Sequence, residues 1–205
     1  MRRNIENRGG AVRRQLGHYD NITEGLMTEN VKKLRKSFYD LKDNKEKLKN
    51  IRRKETICMR CIDQETAMTK NAWFFASFNE LEQLYYTIRR MCEPAYDHVD
   101  NNFTPLPQKY VDDFRPQKER VKDCIADFRI ISSSADFERL RDLEPRLSLL
   151  QNKFSDMRKE LMTDIQAKQV NINTAYLYLN ILQESESMAI TLLRLTRSSR
   201  KFQLG

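Results

Sequence analysis

Cysteine spacing supplies the first motif that could bind a metal or carry redox chemistry. The motif CMRC at residues 58–61 places two thiols on one predicted helix. A structural zinc site needs four ligands, usually two such pairs or one pair with two histidines. The other cysteines, Cys92 and Cys124, are single, and only His18 and His98 exist. We therefore expect no zinc site, and a redox role would need a βαβ context that the sequence lacks.

Paired carboxylates are the second candidate for metal binding, because acids four residues apart share one helix face. The pairs with this spacing are Glu93/Asp97, Glu119/Asp123, Asp123/Asp127, Glu138/Asp142 and Glu160/Asp164. A di-iron centre of the ferritin type also needs a Glu three residues before a His, and neither histidine has one. Residues 55–205 contain 22 acids, so several such pairs arise by chance. We interpret them as solvated helix faces.

Motifs of enzymes are absent from the sequence. It contains no Gly-rich phosphate loop, no GxSxG elbow and no HExxH pair. We therefore expect no catalytic residues, no cofactor and no enzymatic activity.

Clustered aromatic residues could instead bind a protein partner. The cluster consists of Trp73, Phe74, Phe75, Phe78, Tyr85 and Tyr86. Adjacent residues of a helix point about 100° apart, so two neighbouring Phe and two neighbouring Tyr cannot all point inward. Part of the cluster should face another helix or a partner. The candidate partner-binding residues are Trp73, Phe74, Phe75, Tyr85 and Tyr86.

Positive charge is concentrated in the first quarter of the chain. Residues 1–54 hold 16 Lys or Arg against seven Asp or Glu, whereas residues 55–205 hold 21 against 22. Such a segment faces water, nucleic acid or an anionic membrane surface. Nucleic acid is disfavoured, because the segment has no groove-reading motif and few aromatic residues. Contact with a membrane surface through residues 1–54 agrees with the enrichment of Lys and Arg on the cytoplasmic side of membrane spans.

Composition and periodicity predict an all-α chain. Glycine and proline, five each, are too scarce for a turn-rich all-β fold. The longest apolar stretch, residues 72–78, is much shorter than the ~20 residues of a membrane span. Apolar steps of three and four predict a long helix over residues 28–68 and a second one from Asn71 that Pro94 kinks or ends. Residues 1–27, with four glycines, are expected to be basic and weakly structured.

Three further helices are predicted after the loop at residues 98–107. Serines 132–134 should end the first of them, and the next should begin near Asp136 with a kink or restart at Pro145. Asn171 and Asn173 mark the turn before the last helix. The prolines between residues 94 and 116 indicate a boundary, which divides the chain into units at 28–102 and 103–205.

A weak internal repeat relates the two units. Residues 53–55 and 158–160 both read RKE, 105 residues apart, and each precedes a polar helix end, an Asn-containing turn and an aromatic helix. Glu80 and Glu184 are 104 residues apart. These agreements indicate an ancient duplication in which the first copy has lost its first helix.

Three stretches carry a resemblance to a known family. They are HVDNN at 98–102, before a proline-rich helix start, RRKET at 52–56, and YLYLNILQE at 176–184. Together with the tandem units, they resemble the PhoU fold. More specifically, residues 28–203 resemble the PhoU-like cytosolic domain that ends bacterial sodium/phosphate cotransporters of the Bacteroidetes type.

The resemblance implies an antiparallel bundle of two tandem three-helix units, with the first unit incomplete. It also implies a non-catalytic role in regulating phosphate uptake at the cytoplasmic face of the inner membrane. The expected partner is the membrane portion of the transporter, upstream in the same polypeptide, and a second copy of the chain is a further expected partner.

The resemblance also bears on metal binding. PhoU proteins often bind metal through E/D-x-x-x-D motifs on the third helix of each unit. The corresponding positions are Ala76 and Glu80 in the first unit, and Asn180 and Glu184 in the second. Asn180 replaces a carboxylate and Ala76 offers no ligand. We therefore expect no metal site, and Asn180, Glu184 and Glu80 are the only candidates for one.

Two alternatives remain open from the sequence. The chain could be a freestanding helical adaptor or scaffold that binds a protein through its aromatic helix face. It could also be a nucleic-acid binder that uses residues 1–54, in which case its affinity would fall steeply with salt.

Overall fold

The chain is an all-α helical bundle, as the composition predicts. A computed structural model describes residues 2–59, 64–134 and 136–204, and these form six α-helices and no strand. The helices are α1 (Arg2–Met27), α2 (Val31–Met59), α3 (Gln64–Asp100), α4 (Gln108–Ser134), α5 (Leu143–Gln166) and α6 (Ile172–Leu204), with a 3₁₀ helix at Phe137–Asp142 before α5. None of the helices in these ranges is both long and apolar enough to cross a membrane.

The first helix corrects one expectation. Residues 1–27 were expected to be weakly structured, but Arg2–Met27 form α1, which packs against α2, α3 and α4. Each glycine makes a helix about 1 kcal/mol less stable than Ala would, so the four glycines argued against a helix in this segment. Burial outweighs this cost, because Tyr19 and Ile22 of α1 are fully buried in the core.

Other boundaries follow the sequence in part. The helix start predicted at Asn71 is wrong, because residues 64–68 already belong to α3, which runs without a break through Asn71. Ser134 ends α4 as predicted, and α5 restarts at Leu143, two residues before Pro145. Asn171 caps α6, because its side-chain oxygen accepts a hydrogen bond from the backbone N–H of Asn173 at 2.9 Å. Pro94 does not end α3, which continues to Asp100. The predicted continuity of one helix across residues 60–63 lies outside the described residues.

Consecutive helices pack antiparallel on either side of the predicted boundary. In the first unit, the Tyr85 hydroxyl of α3 donates to the Leu41 carbonyl of α2 at 2.8 Å. In the second, Lys109 at the start of α4 pairs with Asp164 at the end of α5. The buried positions of α2 recur in α5 with an offset of 106 residues. They are 34, 37, 41, 44 and 48 in α2, 140 in the 3₁₀ helix before α5, and 143, 147, 150 and 154 in α5.

The third helices hold the two units together as an antiparallel pair. Lys201 at the end of α6 lies over the ring of Trp73 near the start of α3, 4.4 Å from its centroid. Farther along, Arg90 of α3 contacts Glu184 of α6. In both pairs the two residue numbers add up to the same total, as expected when two helices run antiparallel in a constant register. One continuous apolar core runs through both units.

Candidate functional site

The best-formed polar contact between the units joins Arg90 and Glu184. Arg90 Nε and Nη2 each donate to a different carboxylate oxygen of Glu184, both at 2.8 Å. Only 5% of Glu184 is exposed, so its charge depends on this pairing. The guanidinium fork matches a carboxylate in this two-bond geometry. The arrangement neutralises Glu184 within the interface.

The equivalent arginine and glutamate lie at the other end of the α3–α6 pair. Shifting Arg90 and Glu184 by 104 residues exchanges the two helices and gives Arg194 and Glu80. Arg194 acts on Glu80 through its charge without forming a contact ion pair, and Glu80 Oε2 is buried with no hydrogen-bond partner among the described residues. Burial raises the pKa of Glu80 above its ordinary value, although Arg194 opposes this shift. The two halves of the interface therefore share residue types but differ in how tightly the acid is held.

A second glutamate in each third helix ties it to the second helix of its own unit. Glu82 of α3 lies 3.2 Å from Arg52 of α2, and Glu186 of α6 lies 2.8 Å from Arg158 of α5. The ExE motifs at 80–82 and 184–186 thus have one acid directed to the opposite unit and one to their own. This equivalence agrees with the duplication that the sequence indicates.

The metal candidates do not converge on one site. Glu184 pairs with Arg90 of α3, and Glu80 lies ten residues before Arg90 on the same helix. The two acids are therefore about 15 Å apart along the helix axis, at 1.5 Å per residue. Glu184 is already neutralised by Arg90, and the buried Asn180 Oδ1 lacks a hydrogen-bond partner. Within the described ranges, no three His, Cys, Asp or Glu side chains are grouped closely enough to hold a metal ion. These residues do not fit the metal centre that the resemblance implies.

The aromatic candidates separate into two sets. Phe74 and Tyr85 are fully buried in the core, so neither offers a surface to a partner, contrary to the expectation for these two residues. Trp73 and Phe75 are half-buried, and Tyr86 is 36% exposed. In the sequence, Phe74 and Tyr85 already stand at helical spacing from the other buried positions of α3. This spacing could have predicted which of the aromatic residues are buried.

Sequence reasoning placed positive charge in residues 1–54, and the structure locates much of it on one exposed helix face. Helix α2 carries eleven Lys or Arg against four Asp or Glu. Its exposed basic residues that form no ion pair with a described carboxylate are Lys32, Lys33, Lys36, Lys42, Lys45, Lys47, Arg53 and Lys54. The basic face of α2 is defined as Lys32, Lys36, Lys42, Lys45, Lys47, Arg53 and Lys54. The exposed acids Asp40, Asp43 and Glu46 lie among these residues, so basic residues outnumber acidic ones on this side of the helix without excluding them. Arg35 and Lys49 are the ion-paired residues of the same helix.

Sequence reasoning did not identify a cavity between the end of α3 and the start of α6. It has a volume of about 430 Å³ and is lined in part by His98, Phe103, Ile172 and Tyr176. The His98 ring nitrogen Nε2 lies 2.9 Å from the Thr104 carbonyl and fixes the loop that borders the cavity. The sequence marks both bordering segments as turns, but only the folded bundle brings them together.

The CMRC motif at residues 58–61 lies outside the described side chains. The other two cysteines, Cys92 and Cys124, are buried free thiols. Burial raises the pKa of the Cys92 thiol to about 12, so this residue is an unreactive core side chain.

Comparison of the chain with protein-family models, with curated proteins and with solved structures found no match.

Proposed function

We propose that this chain is a PhoU-like regulatory domain that acts on a sodium-dependent phosphate transporter at the cytoplasmic face of the inner membrane. In this proposal the domain modulates phosphate uptake without catalysing a reaction. Its partner is the membrane portion of the transporter.

The observation that carries the proposal is the equivalence of the two three-helix units across the α3–α6 pair. Glu80 and Glu184 occupy equivalent positions, and so do Arg90 and Arg194. An antiparallel bundle of two tandem three-helix units is the architecture that the PhoU resemblance implies. Two of the motifs that suggested the family meet in the bundle, since HVDNN at the end of α3 and YLYLNILQE near the start of α6 border the same cavity.

A regulatory role suits the chemistry of the described residues better than catalysis does. The buried carboxylate of Glu184 is held by Arg90 in a closed pair rather than exposed in a cavity. The buried thiol of Cys92 has a raised pKa, which opposes a nucleophilic role. The free charges lie instead on an exposed helix, where they can contact a partner.

Phosphate uptake in the native host tests the proposal. We expect removal of the whole bundle, residues 2–205, to change the uptake rate or the phosphate concentration at which uptake is repressed, while the transporter still inserts into the membrane. Arg90→Glu, which opposes two charges at the α3–α6 pair, should reproduce the deletion. Lys153→Glu, an exposed residue of α5, makes the same change of charge and should leave uptake unchanged. Unaltered uptake at every phosphate concentration after the deletion, with equal transporter abundance, would contradict the proposal.

A protein adaptor is the second candidate function, and one surface of α3 favours it. Met68 is 74% exposed and shares a helix face with Phe75 and the exposed Tyr86. Light scattering separates the two functions in part, because an adaptor that self-associates through this face forms a dimer that Phe75→Ser with Tyr86→Ser disrupts. A monomer that copurifies with no soluble protein would count against the adaptor.

A further inference from the structure

The two halves of the molecule use equivalent helices with very different charge. Four buried positions of α2 recur in α5 at an offset of 106 residues, and a fifth recurs at Leu140 in the 3₁₀ helix just before α5, so the two helices pack on the core in the same way. Helix α2 has a net charge of +7, whereas α5 has four Lys or Arg and four Asp or Glu. Because α5 fulfils the same role with no net charge, the fold does not require the charge of α2.

From this contrast we infer that the basic face of α2 docks on an anionic lipid bilayer. The chemistry recognised is the negatively charged headgroup layer. The inference adds a docking surface to the proposed function, yet it depends on neither phosphate nor transport.

Shape and residue type favour a bilayer over a nucleic acid. A helix of 29 residues is about 43 Å long and presents a convex ridge that can lie flat on a planar surface. Six of the seven residues of the basic face are Lys, a hydrated point charge, whereas the specific reading of bases relies on bidentate side chains such as Arg. A stacking platform for single strands needs aromatic residues between the basic ones. The C-terminal half of α2, from Lys42 to Lys54, has none.

The aromatic residues near the start of α2 also suit a membrane interface. Tyr39 is 57% exposed on the outer side of the helix. The ammonium group of Lys42 lies 4.4 Å from the ring centroid of Phe38 and 5.7 Å from that of Tyr39. Tyrosine, whose apolar ring ends in a hydroxyl, is enriched at the headgroup level of a bilayer. Lysines beside it then reach the anionic groups.

Vesicle sedimentation of the purified 205-residue chain tests the inference. The probes are vesicles of phosphatidylcholine alone and vesicles that contain 30% phosphatidylglycerol as a chosen composition. We expect binding to the anionic vesicles, little to the neutral ones, and loss of binding as salt screens the charges. The triple variant Lys36→Glu/Lys47→Glu/Lys54→Glu should lower the affinity about 100-fold or more, since each Lys near an anionic surface contributes about five-fold.

A matched variant separates the basic face from net charge alone. Arg141→Glu/Lys153→Glu/Lys168→Glu changes the net charge by the same amount at exposed residues of the second unit, and should keep most of the binding. Equal losses in the two triple variants, or equal binding to neutral vesicles, would overturn the inference. Binding of a DNA or RNA duplex at physiological salt more tightly than anionic vesicles would overturn it in favour of nucleic acid. Far-UV circular dichroism of each variant confirms that the helices are intact.

Discussion

Among single residues, Arg90 and Glu184 make the contact whose loss should be most costly. Arg90→Ala leaves the nearly buried Glu184 without its two charged donors, so we expect the free energy of unfolding to fall by about 2 kcal/mol. Arg194→Ala removes only a longer-range attraction to Glu80 and should cost less than about 1 kcal/mol. Urea unfolding measures both. Arg90→Met with Glu184→Leu should recover most of the loss, and a double variant as unstable as Arg90→Ala would contradict this account.

His18 should make stability depend on pH. It is buried beside Asn44, whose side-chain nitrogen lies 2.8 Å from its Nε2, and burial is the largest cause that lowers its pKa from 6.5. Asp40 opposes the shift, and Lys47 and Arg14 add to it. The unfolded chain therefore binds a proton before the folded chain does.

The sign of the His18 effect follows from that order of protonation. Stability is unaffected above about pH 6.5 and falls as the pH drops from there through the lower pKa of the folded state. His18→Gln keeps a polar side chain that can hydrogen-bond to Asn44 but cannot take up a proton, so it removes this dependence. We expect thermal unfolding between pH 7.5 and 5.5 to lower the melting temperature more in the natural chain than in the variant. Parallel changes in both proteins would contradict the prediction.

Within the helices, two glycines of α1 have opposite requirements. A Cβ on Gly25 would lie 2.8 Å from Leu34 Cγ, where α1 and α2 approach before their turn, whereas a Cβ on Gly17 would meet no atom within 4 Å. We expect Gly25→Ala to destabilise the protein by about 1–2 kcal/mol through this overlap. Gly17→Ala should stabilise it by about 0.5–1 kcal/mol, because Ala is the better helix former. Urea midpoints that move in the same direction for both variants would contradict the close approach.

The first unit also carries polar side chains where the second has apolar ones. Ser37 of α2 is fully buried and its Oγ has no hydrogen-bond partner among the described residues, while Leu143 occupies the equivalent position near α5. Ser37→Ala removes an unsatisfied hydroxyl and should raise the free energy of unfolding by about 1 kcal/mol. Ser77→Ala is the control, since that hydroxyl donates to the Phe74 carbonyl at 2.9 Å and its removal should not stabilise. Chemical denaturation of the two variants distinguishes them.

The sequence predicts these helices unevenly, for physical reasons. The 4/3 apolar spacing from Leu140 to Leu161 predicts the helical turn and the buried face of α5 well, because apolar periodicity records burial directly. Periodicity did not predict helix α1, because α1 is stabilised by contacts with α2, α3 and α4 rather than by the helix propensity of its own residues. The pairing of Arg90 with Glu184 is likewise hidden, because it depends on how two distant helices align. An i,i+4 spacing indicates a shared helix face, but the register across helices comes from packing.

At the scale of the whole molecule, the two units are joined too extensively to unfold independently. The apolar core is continuous through both, and α1 is further tied to α4 by the buried Lys118, which pairs with Asp20 and Glu24. Separating the units would expose the apolar faces of α3 and α6 and would leave Glu184 uncompensated. Chains of this size often populate intermediates, yet here an intermediate with one folded unit would lose its largest interface.

We therefore expect a single cooperative unfolding transition. Trp73 is the only tryptophan and lies in the first unit under Lys201 of the second, so its fluorescence reports both the fold of α3 and the interface. Far-UV circular dichroism reports the helices of the whole chain. The urea midpoints from the two probes should coincide, and Arg90→Ala should lower both by the same amount. Fluorescence that changes at clearly lower urea than the dichroism would mean that the α3–α6 interface opens first, and that the units are stable without it.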